Sequence, residues 1–302
     1  MAISDDYLQY PKRRYGMDHG RYDWSMLPKR KPVEWPGKAR IALWITVALE
    51  WFPLDQQGKP FKALGSLQTA YPDLRHYTLR DYGNRVGIFR VMKALEKHGI
   101  RASAAINAAV AVRYPYLMEK LKQKKWEVIG HGVDMDHLHY EGMSGENDLV
   151  SRAMSILGKP RGWLSPARSE SSQTPDLLAE AGIEYLCDWV NDDMPYAFKA
   201  GGKTLHAMPL SGDIDDAALL LGMHHDEDEF RVQVTDQFDL LYEEAAKHGG
   251  RLMSLTLHPW AIGQPYRIGA LESALEHIMR HSGVWPATGA EILDAWRQSA
   301  KA

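Results

Sequence analysis

At 302 residues, with 45% hydrophobic and 25% charged positions, the chain has apolar material for one large or two modest cores, which excludes fibrous and wholly disordered classes. Its 36 basic and 39 acidic side chains leave a formal charge of -3, so no basic face for a phosphate backbone is expected and nucleic acid is set aside as a partner. A single cysteine, Cys187, rules out an intrachain disulfide and fits a reducing compartment. The polar N-terminal stretch and an apolar run confined to Ile41 to Leu49, about half of what crosses a bilayer, predict a cytoplasmic protein without a membrane partner.

Residues 1–38, rich in Tyr, Trp, Pro, Lys and Arg without a period, are expected to form an extended arm packed by its aromatics, ahead of one domain over 39–302. Ile41 to Leu49 is apolar and partly β-branched, the pattern of a strand buried on both faces. Arg85 to Lys97 has helical spacing and stops at His98-Gly99. Strands are then predicted at Ala102 to Asn107, Trp126 to Gly130, Gly162 to Ser165, Tyr185 to Cys187, Leu205 to Leu210, Leu252 to Leu257 and Val284-Trp285. Helices are predicted from Pro115 to Lys124, Glu146 to Leu157, Thr174 to Ala181, Glu227 to Lys247 and Ile268 to Met279. This alternation predicts an α/β protein, a (β/α) barrel of seven or eight parallel strands, with an open doubly wound sheet as the competitor. No glycine-rich turn follows the first strand, which removes the main support for a dinucleotide-binding sheet.

In such a barrel, chemistry gathers at the carboxyl ends of the strands. There stand Glu50, Asn107, His131 followed by Asp134 and His137, Arg168, Asp188 and His258. A carboxylate, imidazoles, an arginine and an amide supply a base for water, an acid for a leaving group and dipoles for an oxyanion, which is the equipment of a hydrolase. Each has a bland alternative: a solvated strand-end carboxylate for Glu50, structural histidines for His131 and His258, a salt bridge to Asp188 or Asp192 for Arg168. His224, His225, Asp213, Asp215 and Asp216 are expected to be solvated loop residues.

The order of these residues resembles the polysaccharide deacetylase (NodB-homology, carbohydrate esterase family 4-like) superfamily, in particular its cytoplasmic branch with the metal-independent type of allantoinase. The resemblance runs from about Pro36 to Trp296. It is carried by Tyr82-Gly-Asn-Arg-Val-Gly87, Trp126-Glu-Val-Ile-Gly-His-Gly132, Arg161-Gly-Trp-Leu-Ser-Pro-Ala-Arg168, Asp188-Trp-Val-Asn-Asp-Asp-Met-Pro-Tyr196 and Leu257-His-Pro-Trp-Ala-Ile-Gly-Gln-Pro265. It implies a distorted (β/α) barrel. Glu50 falls at the family's base, Trp51 where a second, metal-binding aspartate is usual, and Met135 where a second histidine is usual. A thioether is a poor ligand for a hard or borderline ion, so either no metal is bound or one divalent ion, zinc first, is held by Glu50, His131 and a displaced His137. The resemblance further implies His258 as general acid and Arg168 as the cation that orients Glu50.

The expected activity is hydrolysis of a non-peptide C–N bond in a small amide, ureide or N-acyl compound. Glu50, His258 and Arg168 are the catalytic group, and Asn107, Trp51, Asp188 and Trp260 line the substrate site. A catalytically silent ligand-binding member and a sugar N-deacetylase are the alternatives, and a homo-oligomer is compatible with the aromatic arm.

Overall fold

A computed structural model describes residues 19–56 and 72–301. The N-terminal half of the expected arm, and much of the loop at 51 to 80 on which the size of the pocket depends, lie outside the described residues.

Strand β1, Ile41–Leu49, forms where the sequence places it, and all nine of its residues are buried. Alternate side chains serve two cores, which is why the run shows no polar face. Ile41, Leu43, Ile45, Val47 and Leu49 join the layer beneath the outer helices, while Ala42 and Trp44 point into the concave side of the sheet with Tyr185, Cys187 and Met208. The other strands are β2 (Ser103–Ile106), β3 (Glu127–Gly130), β4 (Gly162–Trp163), β5 (Tyr185–Leu186), β6 (Tyr196–Ala200), β7 (Lys203–Ala207), β8 (Arg251–Leu257) and β9 (Val284–Pro286). They run in the order β6-β7-β5-β4-β3-β2-β1-β8, with β9 beside the start of β1. All pairings are parallel except β6 with β7. A single parallel bridge from Asp215 to Thr256 carries the chain past the free side of β8. The sheet is therefore a curled, incompletely closed barrel, the distorted (β/α) architecture expected. The ends of β1, β2, β3 and β8 open on one face.

The helices are α1 (Leu74–Tyr82), α2 (Ile88–Lys97), α3 (Ala108–Arg113), α4 (Pro115–Gln123), α5 (Glu146–Leu157), α6 (Thr174–Ala181), α7 (Glu227–His248), α8 (Ile268–Met279) and α9 (Gly289–Lys301). Asp226 caps α7 reciprocally with Glu229. The opposite end of the barrel is closed by a buried polar chain. Trp44 donates to Ser103 (2.9 Å), Ser103 to Glu127 (2.6 Å) and Tyr185 to Glu127 (2.7 Å), so that end is plugged rather than open.

Three features depart from expectation. The helix expected from Arg85 begins eleven residues earlier, at Leu74, and passes through a π-helical stretch, Gly83–Gly87, before α2. Tyr196–Ala200 forms an antiparallel hairpin strand with β7, burying Phe198 and Ala200 and exposing Ala197 and Lys199; over five residues, with alanine on both faces, that alternation is too short to mark a strand. Helix α9 packs Ile292, Leu293 and Ala295 under the concave core. Within the described part of the arm, Trp35 is buried and donates to the Arg251 carbonyl at 2.9 Å, and Tyr22 packs edge-on to Trp189 and Tyr196.

Candidate active site

Glu50, at the end of β1, sits in the open face with its side chain only 9% exposed. Its backbone carbonyl accepts from Asn84 Nδ2 at 2.8 Å, and the Trp260 indole Nε1 donates to Oε2 at 3.2 Å. Oε1 stands 3.8 Å from His131 Nε2, beyond a direct hydrogen bond. His131 follows β3; its Nδ1 lies 2.6 Å from the Leu164 carbonyl, which only accepts, so Nδ1 carries a proton, and Nε2 is turned towards Glu50. Nε2 is buried and meets no protein hydrogen-bond partner. Burial pushes the Glu50 carboxyl up, but the polar contact with His131, the charges on His258 and His131 and the Trp260 N–H outweigh it, and the pKa falls to about 2.

His258, at the end of β8, completes the face. Its Nδ1 donates to Asp216 Oδ1 at 2.7 Å and stands 3.5 Å from Asp215 Oδ1, and its backbone N–H also donates to Asp216. Burial opposes charge on the imidazole, yet Asp215, Asp216 and Glu50 together lift it to about 10. The ring is thus an imidazolium at neutral pH, with Nδ1 committed to Asp216 and Nε2 available. Asp216 is fully buried and also accepts from Ile262 N–H at 3.2 Å; burial raises its carboxyl, and the charge and hydrogen bonds of His258 pull it back.

The loop after His258 is brought in by glycines. A Cβ on Gly87 would meet the Pro259 carbonyl oxygen at 2.0 Å, and one on Gly83 would meet Trp260 N at 2.7 Å. The motif Tyr82-Gly-Asn-Arg-Val-Gly87 is therefore a close-approach surface that seats the Pro259-Trp260 turn beside Glu50. Gly87→Ala is expected to cost on the order of 2 kcal/mol or more, because both facing groups are backbone and cannot yield; chemical denaturation of the purified variant measures it.

Several expected site residues take other places. Arg168 forms no ion pair with Glu50, Asp188 or Asp192; its guanidinium donates to the carbonyls of Leu210 (2.8 Å) and Ser211 (3.2 Å), pinning the segment that leads to Asp215 and Asp216. The arginine coupled electrostatically to Glu50 is Arg80 of α1, held over the rings of Phe52 (4.4 Å) and Trp260 (4.9 Å). Asn107, expected to bind substrate, is fully buried and spent as a brace, accepting from Trp51 N–H at 2.7 Å and donating to the His131 carbonyl. Trp51 is taken up in a cluster with Tyr77, Tyr114 and Arg113. Trp260 donates to Glu50 rather than serving only as a wall. Asp188 accepts from Ser165 N–H at 2.8 Å and is paired with Glu170; burial and the Asp188 charge push the Glu170 carboxyl up to about 9, so this pair keeps a proton at neutral pH.

The three-residue ligand set is not assembled. His137 is half exposed and its Nδ1 is bound to Asp134 at 2.8 Å; Met135 is held through its backbone N–H to the Trp51 carbonyl. That leaves Glu50 and His131 as two donors, short of what a divalent ion requires. Two trios among the described residues do converge within reach of an ion: Asp215, Asp216 and His258, and, on the outer helices, Asp239, His277 and His281. In the first, two ligands of one tetrahedral ion would stand about 3.3 Å apart. The 2.7 Å contact of His258 with a fully buried, thrice-bonded Asp216 is a hydrogen bond with no room to open. The sequence marks Asp215 and Asp216 as solvated; the bridge of Asp215 to Thr256 buries them, a long-range pairing that local charge cannot announce.

A curled (β/α) barrel with a carboxylate after its first strand and imidazoles after its third and last long strands defines a deacetylase-type fold. No family model matches the chain. It is 27% identical over 240 residues to a Schizosaccharomyces pombe protein that carries the name polysaccharide deacetylase, covering 72% of this chain and 74% of that one. It is 22% identical over 250 residues to a Helicobacter pylori peptidoglycan deacetylase, covering 70% and 84%. Among solved structures, the PuuE allantoinase superposes with a TM-score of 0.77 at 25% identity over 92% of this chain and 98% of the other. In sequence and in fold the chain is thus similar to polysaccharide deacetylases and to an allantoinase.

Proposed function

We propose that this protein hydrolyses a non-peptide C–N bond of a small amide or ureide, with Glu50 as base, His258 as acid and no metal ion in the reacting centre. The single observation that carries this is the inverted pair in one cavity: a carboxyl lowered to about 2 and an imidazole raised to about 10, each contributing to the other's shift. The relatives support the reaction class, since deacetylases and an allantoinase all act on such bonds. The cytoplasmic location remains a proposal resting on the lone buried thiol of Cys187; among the described residues no helix is long and apolar enough to cross a membrane.

The attacking water belongs between Glu50 Oε1 and His131 Nε2, where the ionised Glu50 accepts a hydrogen bond from it and the imidazole nitrogen is its second partner. A water that donates to Glu50 and is held at His131 keeps a lone pair for the substrate carbonyl carbon. As the C–O bond forms, one proton passes to Glu50, and the carbonyl oxygen becomes an oxyanion in the field of His258 and Arg80. His258 Nε2 delivers its proton to the departing nitrogen, so no amide anion leaves. A carboxyl at about 2 is a weak base in the resting site, but part of what depresses it is the charge that His258 gives up. Losing that proton raises the affinity of Glu50 for the one taken from water, and the two transfers favour each other.

The test is a panel of ureides and N-acyl amines offered to chelator-treated protein. Turnover of at least one, unaffected by chelator, is expected; turnover that vanishes with chelator and returns with a metal would remove the metal-free mechanism, and none at all would favour a silent binding protein. Arg80→Met is expected to lower kcat/KM about tenfold and to move the acid limb of its pH profile upward, because a cation near Glu50 is lost. Arg168→Met should leave that limb in place. The reverse pattern in the two profiles would return the orienting role to Arg168.

A further inference from the structure

The second trio lies outside the cavity. Asp239 is on α7, His277 is in the last turn of α8 and His281 is just beyond its end, four residues on, and one ligand atom of each lies within 4.8 Å of the others. We infer that this trio is a binding site for a borderline divalent transition ion such as zinc, joining the helices that precede and follow β8.

Spacing, orientation and access all serve a ligand. Residues four apart at a helix end share one side, so the two imidazoles face together, with ring centroids 5.1 Å apart. His281 Nδ1 donates to the His277 carbonyl at 2.9 Å, which leaves its Nε2 as the lone-pair nitrogen, the outer-shell bond that orients metal-binding histidines. Phe238 backs both rings, at 5.9 and 5.0 Å, and Tyr242 packs against His281 at 5.2 Å, fixing their planes from beneath. Imidazole and carboxylate are the donors zinc prefers, and a water completes four ligands. Asp239 is 2.7 Å from His277 Nε2, too close for both to hold one ion, but unlike Asp216 it is 53% exposed and free to draw back.

One neighbour opposes the ion. Arg280 donates to His277 Nδ1 at 2.9 Å, which places the ring proton on Nε2, facing Asp239. Metal binding there releases the hydrogen bond, moves the proton to Nδ1 and displaces Arg280, so the arginine both adds charge repulsion and holds the wrong tautomer. Removing it must tighten binding, whereas a trio that served only as a helix-end ion pair would gain no ligand from its loss.

The experiment is calorimetric titration of zinc chloride into the untagged full chain after chelator treatment, with melting temperature as a second readout. One equivalent should bind, with a rise in melting temperature. His281→Asn or Asp239→Asn should weaken binding at least about tenfold and abolish the rise, while Arg280→Ala should tighten it several-fold. Asp216→Asn should bind as wild type, which locates the ion outside the cavity. Absence of stoichiometric binding, unchanged affinity in His281→Asn, or loss confined to Asp216→Asn would each overturn the inference.

Discussion

Replacing Glu50 with glutamine is expected to reduce kcat by a hundredfold or more while the protein remains folded. The substitution keeps the shape and an oxygen to accept from Trp260 Nε1, so the wall of the cavity persists. What disappears is the charge that takes the proton from water and one of three that keep His258 protonated. Steady-state turnover, with circular dichroism and melting as controls, measures it. A variant folding normally and turning over within a few-fold of wild type would remove Glu50 from the mechanism.

How much of this was legible in the sequence depended on the range of the interaction that fixes each residue. Strand β1 came with its bounds intact, because a doubly buried strand writes its environment into every position. Glu50, His131 and His258 are legible because each stands just past the carboxyl end of a strand, a place that barrel topology alone marks for chemistry. Arg168 and Arg80 were exchanged for the opposite reason. Arg168 lies shortly after a strand, yet its fork is turned to two carbonyls 42 and 43 residues later in the chain. Arg80 follows no strand and reaches Glu50 only because glycines at 83 and 87 let its helix lie against the Pro259-Trp260 turn. Asn107 and Asp188 carry polar groups suited to a substrate, and nothing in their neighbours reveals that backbone amides and carbonyls have already taken them. Asp216 was hidden by its own company, since three aspartates in four residues suggest water.

In the proposed mechanism Asp215 and Asp216 set the alkaline side of the reaction through His258. A group whose folded pKa lies above its ordinary value adds stability that is complete below that ordinary value, here 6.5, and is lost as pH rises through the folded one, about 10 for His258. Glu50 acts in reverse: its contribution is present above the usual carboxylate range and is lost as pH falls towards 2. Glu50 ionised with His258 protonated therefore persists across the neutral range, and kcat/KM should be level there, with its alkaline limb set by His258 instead of lying near pH 7. Asp216→Asn tests the origin of that limb. It removes the nearer of two carboxylates and leaves Asp215 at 3.5 Å, so the limb should move down by about one unit or more. At pH 9 the variant should lose about twofold in kcat/KM for a one-unit shift and about tenfold for a two-unit shift, with a smaller loss at pH 6, where His258 is still charged. A structural fault would lower activity equally at both pH values, and only the loss of an acid makes the defect grow with pH. An unshifted limb would mean that His258 does not supply the proton for the departing nitrogen.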